Sequence, residues 1–140
     1  MSGALHQATC VAIGGRGLMI EGPPGTGKSS LALALIDRGA VLIGDDGVLL
    51  ERDGERLLAS PTQATAGLLE VRNVGLVRFP TISRIPLALL IGLDPAAPRF
   101  RDEPGWQTRA GVRLPAISLW PEAPILALRA ELALRTYGLP

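Results

Sequence analysis

One motif near the amino terminus limits what this chain can fold into more than any other part of its sequence. It has the pattern G-x-x-x-x-G-K-[ST], the P-loop that cradles nucleotide phosphates. Its residues are Gly22, Pro23, Pro24, Gly25, Thr26, Gly27, Lys28 and Ser29. The apolar run Leu18–Glu21 before it predicts a strand, and Lys28–Arg38 after it has the leucine spacing of a helix. A P-loop joins a strand to a helix, so we expect an α/β sheet built around it.

Each part of the motif has a chemical reason. Glycines permit backbone conformations that turn successive N–H groups inward, and the helix presents its free N–H groups and positive dipole end to phosphate. Lys28 is predicted to reach the terminal phosphates, and Ser29 to supply a hydroxyl to Mg²⁺. Lys28 is the only lysine among 14 basic residues. A compact ammonium suits a crowded phosphate site better than a guanidinium, so a lysine at this position supports the motif. A turn that merely caps the helix would need neither side chain.

Carboxylates that could serve a P-loop follow at two places. Asp45 and Asp46 come directly after Val41–Ile43, an apolar run that predicts a buried strand. At least one of them should project from the end of that strand toward the phosphates, although aspartates that only form a turn are the alternative. Glu70 lies within the largely apolar segment Leu68–Val77, where an unpaired carboxylate would be costly. Its alternative is an arginine partner on a solvated edge.

The rest of the chain predicts further strands and a closing helix. Leu87–Leu93 is the most apolar run and is expected at the centre of the sheet, and Asp94–Gly105, with three prolines, predicts a loop. The other predicted strands are Thr9–Ile13, Val48–Glu51, Arg56–Ala59 and Val112–Leu119, and the closing helix is Ala123–Arg135. By length, residues 1–140 are expected to form a single domain.

Composition excludes several classes of function. The net charge of +1 and the lack of a basic run disfavour nucleic acid as a partner. No apolar stretch reaches the ~18 residues of a membrane span. The single cysteine, Cys10, and the absence of a signal-peptide pattern favour the cytoplasm. The only histidine, His6, excludes a multi-histidine metal site.

The order of these motifs resembles the HPr kinase/phosphorylase family, and within it the short form that consists of the C-terminal catalytic domain. The resemblance covers roughly the first two-thirds of the chain. It rests on His6, Gly22–Ser29, Arg38-Gly39, Asp45-Asp46 and Leu68–Val77. It implies a P-loop kinase domain resembling the nucleotide-binding domain of phosphoenolpyruvate carboxykinase, with a mixed sheet and flanking helices. It also implies homo-oligomers, commonly hexamers.

The resemblance implies that the γ-phosphate of ATP is transferred to a serine of HPr, or of an HPr-like phosphocarrier of the sugar phosphotransferase system. Many members also remove that phosphate with inorganic phosphate. Asp45 would act as base for the seryl hydroxyl, with Asp46 beside it. His6 would lie near this pair and tune its charge.

The same resemblance assigns the nucleotide and metal ligands. Gly22–Ser29, with Lys28 as the phosphate cation and the following Ser30, would bind ATP. Ser29 and Glu70 would hold Mg²⁺. Arg72 would contact phosphate or fix Glu70 in place.

The chain departs from the family pattern at several positions. Pro24 stands where the family usually has serine, Ser30 where it has glutamate, and Asn73 where it has glycine. The arginine motif expected in the last third of the chain is not recognisable, and Arg113 and Arg129 are only candidates for its role. Two other hypotheses therefore remain: a catalytically degenerate nucleotide-binding sensor or partner module, and a small-molecule P-loop kinase.

Overall fold

The computed structural model describes residues 3–140, in which a mixed β-sheet carries two helices on one face. The helices are α1, Lys28–Asp37, and α2, Leu126–Tyr137. The strands, in chain order, are β1 Ala4–His6, β2 Thr9–Ile13, β3 Arg16–Glu21, β4 Val41–Gly44, β5 Val48–Asp53, β6 Arg56–Ser60, β7 Leu68–Val71, β8 Gly75–Arg78, β9 Ile85–Leu93, β10 Gly105–Arg109 and β11 Val112–Leu119. Neither helix of this part of the chain has the length and apolar character needed to cross a membrane.

Parallel pairing at the centre of the sheet decides where the phosphate loop lies. The strand order is β1-β5-β6-β9-β3-β2-β4, with β11 also beside β9 and β10 outside it, while β7 and β8 form a separate hairpin. β3 and β11 pair with β9 in parallel, and the pairs β2–β3 and β2–β4 are antiparallel. Gly22 after β3 and Asp94 after β9 therefore leave the sheet at one edge, the carboxyl edge where α/β proteins bind ligands. The mixed sheet and its helices confirm the predicted fold class.

Alternation along β3 divides its side chains between the two faces of the sheet. Leu18 and Ile20 are fully buried on the helical face, where they belong to the same core cluster as Leu35 of α1. Met19 is equally buried on the opposite face, which β5, β6 and β11 cover. Each such side chain stabilises the fold by about 2 kcal/mol through burial. By the same alternation, Glu21 lies on the Met19 face, away from the helices.

The structure differs from the sequence prediction at four places: β1, β10, the β7–β8 hairpin and the start of α2. β1 and β10 were not predicted, because β1 has three residues and most of β10 is exposed and lacks apolar alternation. The segment Leu68–Val77 is a hairpin, and its turn places Asn73 at φ 69, so asparagine adopts the left-handed conformation here. Helix α2 begins at Leu126 instead of Ala123, since Pro124 disfavours helical backbone at the residue before it.

Candidate functional site

The phosphate loop has the backbone that its glycines predict. Gly25 and Gly27 have φ angles of 81° and 94°, in the left-handed region that favours glycine. Gly27 is the N-cap of α1, so the loop leads straight into the first turn of that helix. Lys28 Nζ donates hydrogen bonds to the carbonyl oxygens of Gly22, at 2.8 Å, and Pro23, at 3.1 Å. The ammonium is thereby held over the loop, beside the N–H groups that would face an anion.

A cleft of about 220 Å³ beside the loop brings together side chains that are distant in sequence. They come from β2, the loop and the first turn of α1, the β4–β5 turn, and the β7–β8 hairpin. The lining residues are Thr9, Pro24, Gly25, Gly27, Lys28, Ser29, Ser30, Asp45, Asp46, Glu70 and Arg72. The cleft therefore brings together Lys28, Arg72 and the four residues predicted for metal binding or acid–base chemistry. These four are Ser29, Asp45, Asp46 and Glu70.

Asp45 is the carboxylate that touches the loop directly. It follows β4, is only 9% exposed, and its Oδ1 accepts hydrogen bonds from Ser29 Oγ at 2.7 Å and Thr9 Oγ1 at 3.0 Å. Its Oδ2 accepts one from the backbone N–H of Glu70 at 3.3 Å. A carboxylate offers about four lone-pair positions, so Oδ2 can still accept one more donor from the cleft. Sequence reasoning missed Thr9, since a threonine in a predicted strand carries no signal of such a contact.

Asp46 lies beside Asp45 but in a different environment. It is exposed at the rim of the cleft and has φ 64, a left-handed conformation that aspartate tolerates in turns. The turn therefore presents one buried carboxylate at the base of the cleft and one accessible carboxylate at its mouth.

The prediction that Glu70 would be a costly, unpaired carboxylate in an apolar segment is wrong, although Glu70 does line the cleft. Its side chain is exposed, because the β7–β8 hairpin has one face in solvent, and no desolvation cost arises. Within residues 3–140, no ion pair joins Glu70 to Arg72. Both side chains line the same cleft from one hairpin, and both are free to face a ligand there.

His6 has a different carboxylate partner from the pair predicted for it. Its Nε2 lies 2.7 Å from Oε2 of Glu21, the last residue of β3 and the one before Gly22. Arg109 of β10 donates to both oxygens of Glu21, from Nη2 at 2.6 Å and from Nε at 3.1 Å. An effect of His6 on Asp45 and Asp46 stays a prediction. Sequence reasoning missed Glu21 and Arg109, although a glutamate that ends an apolar strand is a usable signal.

Glu21, His6 and Arg109 form a cluster that keeps a negative charge on Glu21 at the start of the phosphate loop. Burial raises the pKa of Glu21, but hydrogen bonds from Arg109 and His6 outweigh burial, so the pKa lies below its ordinary value. The ionised carboxylate is thus stabilised in the folded protein. Because Glu21 precedes Gly22 directly, its contacts with His6 and Arg109 fix the point at which β3 leaves the sheet and the loop begins.

We expect Arg109→Ala to lower the free energy of unfolding by about 2 kcal/mol at neutral pH, the range for hydrogen bonds to a charged group. The pKa of Glu21 is depressed on folding, so this contribution is complete above the ordinary value of 4.5 and is lost as pH falls through the folded-state pKa. Urea unfolding at several pH values measures it. The matched control is Arg56→Ala, which breaks an exposed pair with Asp53 and should cost well under half as much. Equal losses, or a pH-independent difference, would contradict the role of Arg109.

Neither arginine considered as the catalytic arginine reaches this cleft. Arg113 stacks on Trp106, with its guanidinium carbon 4.6 Å from the ring centroid, and Arg129 stacks on Trp120 at 5.5 Å. Among the residues lining the cleft, Arg72 is the one arginine.

A second hollow of about 290 Å³ adjoins the cleft. The two share Gly25, Gly27, Ser30 and Arg72. Its remaining walls come from α1, from the segment that leads into α2 and from the first turn of α2, and they are mainly apolar: Leu31, Ala34, Glu122, Ala123, Pro124, Leu126 and Ala127. A molecule with an anionic end and a flat apolar end could therefore occupy both spaces at once.

Comparison of the sequence and of the structure with known proteins points to one family. The model of the HPr serine kinase C-terminal domain matches residues 2–83. The HPr kinase/phosphorylase of Mycoplasmopsis pulmonis is 42% identical over 71 residues, which are 51% of this chain and 23% of that protein. The HPr kinase/phosphorylase of Limosilactobacillus reuteri is 34% identical over 129 residues, covering 83% of this chain and 40% of that protein. The chain thus spans less than half the length of these curated relatives.

A solved structure extends the similarity beyond the part of the chain that carries the motifs. The HPr(Ser) kinase/phosphatase from Coxiella burnetii is similar with a TM-score of 0.81 and 28% sequence identity. The match covers 94% of this chain and 88% of that one. The resemblance predicted from the motifs is confirmed, and in three dimensions it includes the last third of the chain.

Proposed function

Because the chain belongs to the HPr serine kinase C-terminal domain family, we propose that it transfers the γ-phosphate of ATP to a serine of HPr or of an HPr-like phosphocarrier. The same site would also carry out phosphorolysis of the seryl-phosphorylated carrier, in which inorganic phosphate accepts the phosphoryl group, the serine hydroxyl is regenerated and pyrophosphate leaves. The observation that carries the proposal is the cleft itself, in which the loop cation, the loop serine and three carboxylates line one space of about 220 Å³. The reaction would take place in the cytoplasm, where ATP is available.

ATP would lie across the cleft and the adjoining hollow. Its phosphates fit the loop, where backbone N–H groups, the start of α1 and Lys28 all favour negative charge. Its base fits between Ala34 of α1 and Ala123 and Pro124 before α2, whose apolar atoms would pack against the ring. Arg72, which lines both spaces, would also contact the phosphates.

The residues in the cleft fit a magnesium ion that is shared with ATP. Mg²⁺ is held through one or two carboxylates, substrate phosphates and water, instead of a cage made only of protein groups. Ser29 and Glu70 would supply the hydroxyl and carboxylate, and within residues 3–140 no three His, Cys, Asp or Glu side chains form a metal site alone. The ion would neutralise charge that develops on the phosphate oxygens.

The chain's own groups would then orient the acceptor and move its proton. The serine oxygen of the carrier forms a bond to the γ-phosphorus as the bond from that phosphorus to the ADP oxygen breaks. Oδ2 of Asp45, with its remaining lone pair, would accept the hydroxyl proton, and Asp46 lies at the mouth of the cleft where the carrier must enter. Lys28 and Arg72 would stabilise the charge on the transferred group.

We expect Glu70→Gln to raise the Mg²⁺ concentration needed for half-maximal transfer by about tenfold, since a neutral amide is a weaker ligand for this ion. The side chain is exposed, so the fold should be unaffected. Rates measured across a magnesium titration test this prediction. Glu103→Gln, an exposed change outside both the cleft and the adjoining hollow, is the matched control. An unchanged magnesium requirement would remove Glu70 from the metal site.

The proposed function is tested by incubating the protein with γ-labelled ATP, Mg²⁺ and purified HPr. Label on a single serine of HPr is the expected result, and addition of inorganic phosphate should release it. Tight Mg·ATP binding without transfer to a carrier would instead favour the nucleotide-binding sensor. Label transferred to a small molecule in place of protein would favour the small-molecule kinase, an alternative that the family comparison does not favour.

We also propose that the protein works as a homo-oligomer, a hexamer by the family resemblance. Helix α2 supports this, because Ile125, Leu128 and Leu132, at its start and along one side, are 50%, 41% and 42% exposed. Three apolar side chains with helical spacing suit packing against a second copy. Light scattering on the purified protein measures the assembly.

A further inference from the structure

Thr9 is a polar residue at the start of a strand that is otherwise apolar. The first four residues of β2 are buried, and Thr9 itself is only 1% exposed. A buried hydroxyl costs free energy unless it is hydrogen-bonded, and a valine of almost the same shape would avoid that cost. The apolar pattern of β2 thus gives no reason for a threonine, and the reason lies in what its hydroxyl contacts.

The partner of this hydroxyl is Asp45. Within residues 3–140, Thr9 and Asp45 are the two polar or charged residues that are buried, and Thr9 Oγ1 donates to Asp45 Oδ1 at 3.0 Å. β2 and β4 are antiparallel, and Cys10 lies opposite Gly44. The next positions outward are those of Thr9 and Asp45, so the register of the sheet brings the hydroxyl to the carboxylate.

Asp45 has three donors, and the fold holds them with different firmness. The hydroxyl of Ser29, at 2.7 Å, is the one proposed to hold Mg²⁺, so this contact is the one that ligand binding alters. The N–H of Glu70, at 3.3 Å, comes from the β7–β8 hairpin, which forms a sheet of its own. Thr9 lies in a strand of the main sheet that is paired on both sides, by β3 and β4. Its hydroxyl is therefore the most firmly held support of the carboxylate.

We propose that Thr9 is a positioning residue for phosphoryl transfer, acting through Asp45; this role rests on the proposed function. A carboxyl group is planar, so a hydrogen bond that fixes Oδ1 also fixes the position of Oδ2. Oδ2 is the atom proposed to accept the proton of the acceptor hydroxyl, and that transfer needs a separation of about 2.6–3.2 Å. A carboxylate that rotates more freely spends less time in this position. The maximal rate then falls, while ATP binding at the loop does not change.

Thr9→Val tests this proposal, because valine keeps the branched shape and removes the hydroxyl. We expect the maximal rate of transfer from labelled ATP to HPr to fall about tenfold, the loss expected for one hydrogen bond to a charged group. The KM for ATP should stay within about twofold of its original value. Thr9→Ser, which restores a hydroxyl, should recover most of the rate. Calorimetric titration with Mg·ATP should give the same affinity in both variants, which shows that the site is folded.

A control and a double-mutant cycle separate positioning from a general structural effect. Thr108→Val makes the same change at an exposed position of β10 outside the cleft, and the rate should not change. If Thr9 acts through Asp45, Thr9→Val will cause little further loss when Asp45 is already asparagine. A further tenfold loss in that background would show that Thr9 acts independently of Asp45 and would overturn the proposal.

The rate of the unchanged protein distinguishes this proposal from the proposed function. If the unchanged protein and Thr9→Val transfer label to HPr equally fast, the role of Thr9 is wrong and the proposed function is unaffected. If the unchanged protein transfers no label to HPr, the proposed function is wrong, and the role of Thr9 is wrong with it. A rate that falls in Thr9→Val and recovers in Thr9→Ser supports both.

Discussion

Replacement of Lys28 by alanine is expected to weaken Mg·ATP binding by at least about 100-fold. The ammonium is held over the loop by two carbonyl oxygens, so little reorganisation is needed before it contacts phosphate. Two charge-assisted hydrogen bonds of about 1.5 kcal/mol or more each account for a factor of this size. Isothermal titration calorimetry measures the affinity. The melting temperature should change little, because the side chain is only partly buried and lies at the loop.

The effect of Lys28→Ala is expected to come from the loss of positive charge at the loop. The control therefore removes a positive charge at the other end of the helix. Arg38→Ala is the matched control, since Arg38 lies at the other end of α1 and pairs with Glu131 at 2.9 Å in an exposed contact. Its affinity for Mg·ATP should equal that of the unchanged protein. Lys28→Arg separates charge from shape, and the broad guanidinium should recover only part of the binding. If Lys28→Ala bound Mg·ATP normally, Gly22–Ser29 would be only a helix-capping turn.

The parts of the site that are local in sequence could be predicted. The P-loop carries its whole geometry in eight consecutive residues, because left-handed glycines, a helix start and a lysine suffice to define it. Asp45 was predicted for a similar reason, since an aspartate directly after an apolar strand must lie at the edge of the sheet. In both cases a neighbouring element determines where the side chain lies.

Contacts between distant segments could not be predicted in the same way. Glu21 and Arg109 are 88 positions apart, and their pairing depends on β10, an exposed strand with no apolar pattern. Thr9 meets Asp45 only because β2 and β4 are neighbours in the sheet. Periodicity shows which face of a strand is buried, but the pairing of strands is decided by packing over the whole core. Glu70 illustrates the same limit, because the hairpin that exposes it was predicted as one apolar segment.

The last third of the chain shows how a fold can persist where motifs do not. The motif resemblance fades after about Leu93, and the family model ends at residue 83, yet the solved structure from Coxiella burnetii matches 94% of the chain. β11 and α2 contribute buried apolar side chains such as Leu114 and Leu134, and many sequences of suitable size and pattern can fill such positions. The arginine expected in this region is a different matter, since Arg113 and Arg129 are engaged with tryptophans outside the cleft. Arg72 lines the cleft, and it is therefore the arginine that we propose to contact phosphate.

Asp45→Asn is expected to lower the maximal rate of phosphoryl transfer by about 1,000-fold or more. Loss of a general base costs about 10² to 10⁴ in rate, and a loss beyond this range is expected only if Asp45 also positions the acceptor. The amide keeps an oxygen for Ser29 and Thr9, so the buried contacts at Oδ1 survive. It cannot take the hydroxyl proton of the acceptor at the position of Oδ2. Single-turnover transfer from labelled ATP to HPr, at saturating Mg²⁺, measures the rate. Asp46→Asn, an exposed change one residue away, is the matched control and should cost far less.

Magnesium dependence separates the two roles that the position of Asp45 allows. Its hydrogen bond to Ser29 puts the carboxylate beside the hydroxyl proposed to hold Mg²⁺, so loss of the charge could act through the metal instead of through the proton. If Asp45 is the base, excess Mg²⁺ will not restore the rate of Asp45→Asn, and ATP affinity will be nearly normal. If excess Mg²⁺ restores the rate, Asp45 is a metal ligand, and the base must be sought at Asp46. In Asp45→Asn the new amide N–H group can face the backbone N–H of Glu70, and two facing donors would destabilise the fold. Either interpretation therefore requires a melting temperature close to that of the unchanged protein.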